Sequence, residues 1–451
     1  MTSYTGLALA RDLINRLELP RLIDENVAVL KRHRPYHESD HILTQVYNFL
    51  SGGESIVDIE RLQENTAVRR ILGADRILDP TTAGDFLARF TSKQLDAFRS
   101  VLDAAQGQEF SLLDKEKRTI ATIDSDSSIH EVYGEKKEGA DYAYNNTYCY
   151  SALYITLAET GDVLHQDLRE GNTYSSVGTK EVLGGIIDRV KPHFMKVRYR
   201  GDSAFYDKDI VRIVDAAGVE FFITADQTAP LMKKILALDE GEWKSFRHKK
   251  LGGTKTGKKR KKRRNKKKAR AKKRNRRIVQ KGKVETATVT YQPVGWDKAY
   301  RFVVKRTEIR ERSKQLCFDE RLCKYSYYIV ATNSTASNSK VMNIAQGRGN
   351  QENLIKDFKY GLGLDHVPTG FLGANKMYFL IAALAWNLKT WLLNLAGLGE
   401  GAVLRFKRFL YLWIYHAAVV SRTGNRTVIL RMDPGDYYAR FGKALTAIAS
   451  L

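Results

Sequence analysis

Between Lys244 and Lys283 the chain carries 23 lysines and arginines and not one aspartate or glutamate. The densest part, Lys258–Arg277, sets like charges side by side, and no hydrophobic core can absorb it. The fold must therefore be built from the residues on either side. The segment itself reads as an arm that orders only against a polyanion. The net charge of the 451-residue chain is +24, so nearly all of the excess lies in the arm and the remainder is close to neutral. With 43% hydrophobic residues, that remainder is long and apolar enough for two or three domains.

Residues 1–112 carry a helical pattern. Leu7, Leu9, Leu13, Ile14 and Leu17 form one apolar face, and His41–Leu50 repeats it. Asp79-Pro80-Thr81-Thr82 reads as a capped helix start, opening Ala83–Phe90, and a second helix is expected over Ser92–Leu102. A module of this size is either a helix-turn-helix DNA reader or an all-helical packing domain.

Residues 113–235 change period. Arg118–Ile123, Tyr148–Ala158 and Val163–Leu168 read as strands, and Thr160-Gly161-Asp162 makes the last two a hairpin. Lys180–Val190 and Asp207–Ala217 read as helices, alternating with strands at Lys196–Tyr199 and Glu220–Thr224. A meander followed by this alternation predicts a mixed α/β sheet. Residues 236–340 read as a β-rich insertion that carries the arm, with strands at Val284–Tyr291, Tyr300–Lys305 and Tyr325–Ala331. In residues 341–451 helix is expected from Gly347 through Trp391 and again over Leu404–Val420.

Three cysteines, Cys149, Cys317 and Cys323, form no CxxC pair, which argues against a zinc site or a disulfide framework. The N-terminal residues lack the pattern of a signal peptide. Asn387, Lys389 and Asn394 interrupt the most apolar stretch, Met377–Leu395, so it reads as a buried helix and no membrane role is expected.

Three short motifs carry the chemistry: Thr122–Ser128 (TIDSDSS), Tyr199–Phe205 (YRGDSAF) and Gln346–Lys359 (QGRGNQENLIKDFK). Asp124 and Asp126 are two apart and face the same side of a strand. Ser127 and Ser128 read as the start of a turn, which favours Asp126 and leaves Asp124 as a supporting or alternative ligand. Asp202 falls just past a strand end. Glu352, Lys356 and Lys359 share a helix face, with Arg348 one turn before. Singly, each has an ordinary explanation: an Asx turn, a helix cap, a solvated ion pair. Jointly, three carboxylates can hold two divalent cations for in-line attack on a phosphodiester.

The order Asp, Asp, Glu, with gaps of 76 and 150 residues, resembles the bacterial DDE-type insertion-sequence transposases. The similar subgroup carries Tyr, two residues, Arg, three residues, Glu, six residues, Lys around its glutamate. Arg348, Glu352 and Lys359 fit that spacing, while its tyrosine position is Ala345. Leu168–Ser175 (LREGNTYS) and the tail from His366 also resemble the family, so the resemblance spans about residues 118–395.

It implies a ribonuclease-H-like mixed sheet with helices, interrupted by the β-rich insertion and preceded by a helical DNA-binding domain. Asp126, Asp202 and Glu352 would hold two Mg²⁺ (Mn²⁺ as a substitute). Arg348, Lys356 and Lys359 would meet phosphates, and Trp296 in the insertion would stack on a flipped base. Lys261, Arg263, Arg264 and Lys267 of the arm would grip DNA backbone without reading sequence. The implied partners are terminal inverted repeats and target DNA, bound by a homodimer, in a cytoplasmic, nucleoid-associated setting. The rival readings are a metal-dependent nuclease of the same fold without strand transfer, and a non-catalytic DNA-binding protein.

Overall fold

The computed structural model describes residues 1–134, 136–143, 145–246, 282–309, 321, 324–397, 404–422 and 428–451. The chain divides into two compact units, Met1–Tyr199 with Arg348–Leu451, and Arg200–Gly347. β5 (Val197–Gly201) is the strand along which it passes from the first to the second.

The first unit is organised on an antiparallel meander of β1 (Ala121–Glu131), β3 (Tyr148–Leu157) and β4 (Val163–Arg169). The short β2 (Asp141–Tyr142) pairs with the start of β3. The expected hairpin is β3–β4, and Gly161 turns it at φ 87°, where a side chain would be strained. β1 corrects the sequence reading. It runs on through Ser127 and Ser128, paired with β3 from Ile123↔Leu157 to Glu131↔Cys149. Asp126 is thus mid-strand rather than at a turn. The long, almost fully buried β3 supplies a partner for each residue, and that pairing overrides the local turn preference of Asp and Ser.

The Leu372–Leu395 helix is buried along nearly its whole length, as expected. Its polar interruptions have tertiary partners. Asn387 accepts from Val163 N–H and donates to Val163 C=O, both at 2.9 Å, and so covers the open edge of β4. Trp386 Nε1 donates to Gly161 C=O and Trp391 Nε1 to Asp162. The N-terminal helices join the same core through Leu9, Leu13, Val46 and Phe49. In the Glu38–Leu50 helix every residue except Asp40 is buried, so no face of it is open to a DNA groove. Among the described residues no helix is long and apolar enough to cross a membrane.

Two helical expectations are corrected. The helix expected from Gly347 to Trp391 is two, Gly349–Gly361 and Leu372–Leu395, with Pro368 in the break. Leu404–Val420 holds only a short helix at Phe406–Phe409 and a π-helical turn at Leu410–Ile414. The chain then enters β11 (Val419–Arg422), which pairs with β12 (Val428–Arg431). The β-branched Val419 and Val420 favour a strand, and pairing with β12 completes it.

In the second unit β6 (Glu220–Thr224), β10 (Tyr325–Thr332), β9 (Tyr300–Glu308), β8 (Val284–Tyr291) and β7 (Lys244–Ser245) lie side by side in that order. The pairs are antiparallel. Three of these strands are those expected in the insertion. The Asn338–Gln346 helix packs on the sheet through Val341, Met342 and Ala345, against Phe222, Val303 and Val330. The arm, with Lys261, Arg263, Arg264 and Lys267, lies outside the described residues, as do Cys317 and Cys323.

Candidate active site

The Gly349–Gly361 helix buries Gln351, Leu354, Ile355 and Phe358 and exposes Glu352 and Lys356. With the residues flanking it, this helix fastens β1 along its length. Arg348 Nη2 lies 2.8 Å from Asp126 Oδ1, both side chains about five-sixths buried. Gln351 Nε2 donates to the Asp124 carbonyl at 2.7 Å. Lys359 Nζ donates to the Ile129 carbonyl at 2.8 Å. His130 Nδ1 lies 2.7 Å from the Leu364 carbonyl, and its Nε2 is 2.9 Å from the Tyr154 hydroxyl.

The electrostatics follow from burial. Desolvation pushes the His130 imidazole down to about 3, so it is neutral at ordinary pH. With a carbonyl at Nδ1, that nitrogen carries the hydrogen and Nε2 accepts from Tyr154. Burial also pushes the Lys359 ammonium below its ordinary value. Asp124 is fully buried and Asp126 largely so. Asp126 Oδ1 also accepts the Ser127 N–H at 2.9 Å, and Ser127 Oγ donates to Ser175 Oγ at 2.8 Å. Ser175 arrives there because the buried Arg169 gathers its loop, donating to the carbonyls of Tyr174, Ser175 and Val177.

In the second unit Asp202 caps the short turn Ser203–Phe205, its Oδ1 accepting from Ala204 N–H at 3.0 Å. Two residues earlier, buried Arg200 donates through Nη1 to the Ile344 carbonyl at 2.9 Å, at the end of the Asn338–Gln346 helix. Gly347 makes room for it: a Cβ there would lie 2.6 Å from Arg200 Nη1. After the turn, the Tyr206 ring sits 5.1 Å from Trp296, and Trp296 sits 5.7 Å edge-on from Tyr300. Lys208 pairs with Asp297 at 3.1 Å, next to Trp296 in the β8–β9 turn.

Within the first unit, then, Asp126, Arg348, Asp124 and the helix of Glu352 are joined by direct contacts. Lys356 and Glu352 are exposed on that helix. Lys359 is a strand tether, and Trp296 is one ring of an aromatic cluster. Ala345, at the family's tyrosine position, is a core residue only 5% exposed. Sequence reasoning missed Gln351, His130 and the Ser127–Ser175 link. Gln351 had a signal, three positions after Arg348 and so on the same helix face. Among the described residues no three His, Cys, Asp or Glu side chains are gathered closely enough to hold a metal ion. Within the first unit Asp126 and Glu352 offer only carboxylate oxygens, the donor type that suits a hard cation.

No curated protein matches the chain. Among solved structures, a cryo-EM structure of a piggyBac transposase synaptic complex with hairpin DNA is similar over 92% of this chain and 80% of that one. The identity is 9% and the TM-score 0.46. The family model described as transposase DDE domain group 1 matches residues 1–451, the whole length. With that match, the chain belongs to the group 1 DDE transposase family.

Proposed function

We propose that the protein cuts DNA at the ends of a mobile element and joins the freed 3′-hydroxyl to target DNA. The observation that carries this is the Asp126–Arg348 pair, set on β1 one helical turn from Glu352 in a chain of this family. Asp126, Asp202 and Glu352 would hold two divalent cations, Mg²⁺ or Mn²⁺. When bound, such ions supply Lewis-acid activation of the attacking and leaving oxygens.

The chain's own residues have distinct tasks in this reading. Arg348 neutralises Asp126 and, released from it, is the cation placed to take a DNA phosphate. Lys356 is exposed beside Glu352 and takes a neighbouring phosphate. Lys359, Gln351 and His130 hold β1 straight so that Asp126 stays at its station. The helical residues 1–112 and the basic arm contribute DNA binding, and two copies act together on two element ends.

The test is cleavage of duplex DNA carrying the element's own ends, with Mg²⁺, by wild type, Asp202→Ala and Glu352→Ala. Cutting by wild type that both variants lose is the expected result, and joined products separate a transposase from a nuclease. Variants that cut as well as wild type would remove the carboxylate assignment.

A further inference from the structure

The segment 27–37 links the Leu19–Asn26 helix to the Glu38–Leu50 helix. Lys31, Arg32, His33, Arg34 and His37 are all exposed in it. Some surface cations of this unit rest on carboxylates. Arg21 meets Glu25 at 3.0 Å, Arg61 meets Asp58 at 3.3 Å, and Lys407 meets Glu54 at 2.6 Å. Among the described residues Lys31, Arg32 and Arg34 make no ion pair.

The loop has internal order. Glu38, its side chain 1% exposed, accepts the N–H groups of Val29 at 3.1 Å and Leu30 at 3.0 Å, and lies 3.2 Å from His33 Nδ1. The His33 and His37 rings stack at 5.5 Å, and Asp40 takes the His37 N–H at 2.8 Å. The nearby carboxylates thus shape the loop and leave its three strong cations uncompensated. Exposed Arg76 lies within electrostatic reach of Tyr36 and adds a fourth.

We infer that this loop is a DNA-docking surface that grips backbone phosphates without reading bases, separate from the basic arm. The inference rests on the DNA-acting reading above. It also says how residues 1–112 meet DNA, given that the Glu38–Leu50 helix has no free face. From Lys31 to Arg34 the chain reaches at most about 10 Å, the rise of roughly three nucleotides of one strand.

The test is the salt dependence of duplex binding by the full chain. Lys31→Ala, Arg32→Ala and Arg34→Ala together should flatten the slope of log affinity against log salt by about 2–3, since each phosphate left without its cation removes about 0.9. Lys31→Arg, Arg32→Lys and Arg34→Lys together should keep the wild-type slope, as should removal of three paired cations through Arg21→Ala, Arg61→Ala and Lys407→Ala. An unchanged slope in the loop triple, with duplex still bound, would overturn the loop alone. A wild-type chain that binds no duplex would overturn the loop and the DNA-acting reading together. Retained duplex binding with loss of polyglutamate binding would overturn it too, assigning the loop to an acidic protein instead.

Discussion

Asp126 lies within an eleven-residue strand, and its partners come from the far end of the chain. Asp202 lies past a five-residue strand, and its carboxylate accepts from an amide two residues on. Around Asp126 the backbone is held by side chains of Gln351, Lys359 and His130, which bridge 227, 230 and 234 residues. Around Asp202 the support is a local turn, with Arg200 and the Tyr206–Trp296 contact behind it. One carboxylate therefore stands on a strand held by contacts that span the chain, and the other caps its own turn. The first should be sensitive to distant substitutions and to pH, the second to changes in the β8–β9 turn.

Asparagine at each position separates the two most sharply. Asp126→Asn and Asp202→Asn should both reduce DNA cleavage by about 10²–10³-fold. Asp126→Asn should cost stability, about 2 kcal/mol, because it removes the carboxylate that lies 2.8 Å from the largely buried Arg348 guanidinium. Asp202→Asn still offers an oxygen to Ala204 N–H, keeps the cap of the Ser203–Phe205 turn, and should cost less stability than Asp126→Asn. Equal losses in urea unfolding would break the comparison.

His130 gives the pH test. Its folded value of about 3 lies below the ordinary 6.5, so the unfolded chain binds the extra proton between those pH values. Its stabilising contribution is complete above pH 6.5 and is lost as pH falls toward 3. In His130→Gln, the slope of unfolding free energy between pH 4 and 6 should be shallower by about 1.4 kcal/mol per pH unit, the effect of one proton. No change in slope would mean that His130 is not the neutral latch on β1.

On the Asp202 side, Trp296→Ala should cost about 1–2 kcal/mol and slow cleavage, while Trp296→Phe should stay near wild type. If an abasic site in the DNA end restores cleavage by Trp296→Ala, the ring acts on a base and its packing role is secondary. The smallest effect is expected for Lys359→Met. It keeps the packed stem, removes the bond to Ile129, and should shift stability by less than about 1 kcal/mol. A large loss of DNA affinity in that variant would return Lys359 to the phosphate role.

The local side of this comparison is legible in the sequence. Asp202 at a strand end, the β3–β4 hairpin, the insertion strands and the buried Leu372–Leu395 helix all follow from period and turn chemistry within a few residues. β1 escapes such a reading because Asp and Ser prefer turns, and only the register with β3 shows why the strand continues. The tethers from Gln351, Lys359 and His130 join residues that no local pattern relates. Ala345 reads as a gap in a motif, whereas its small side chain fits a core that only the packed helix and sheet reveal.

The short strand β7 pairs Lys244 with Thr286 and Ser245 with Glu285 on β8. The two roots of the basic arm therefore stand next to each other on one sheet edge. Chain length between such neighbours is thermodynamically inexpensive: doubling it adds only about 0.6 kcal/mol of closure entropy. The second unit can thus gain or shed charge by lengthening or shortening the arm while its strands keep their register. In the proposed DNA-binding role, the charge of the arm is then a quantity that evolution can tune separately from folding.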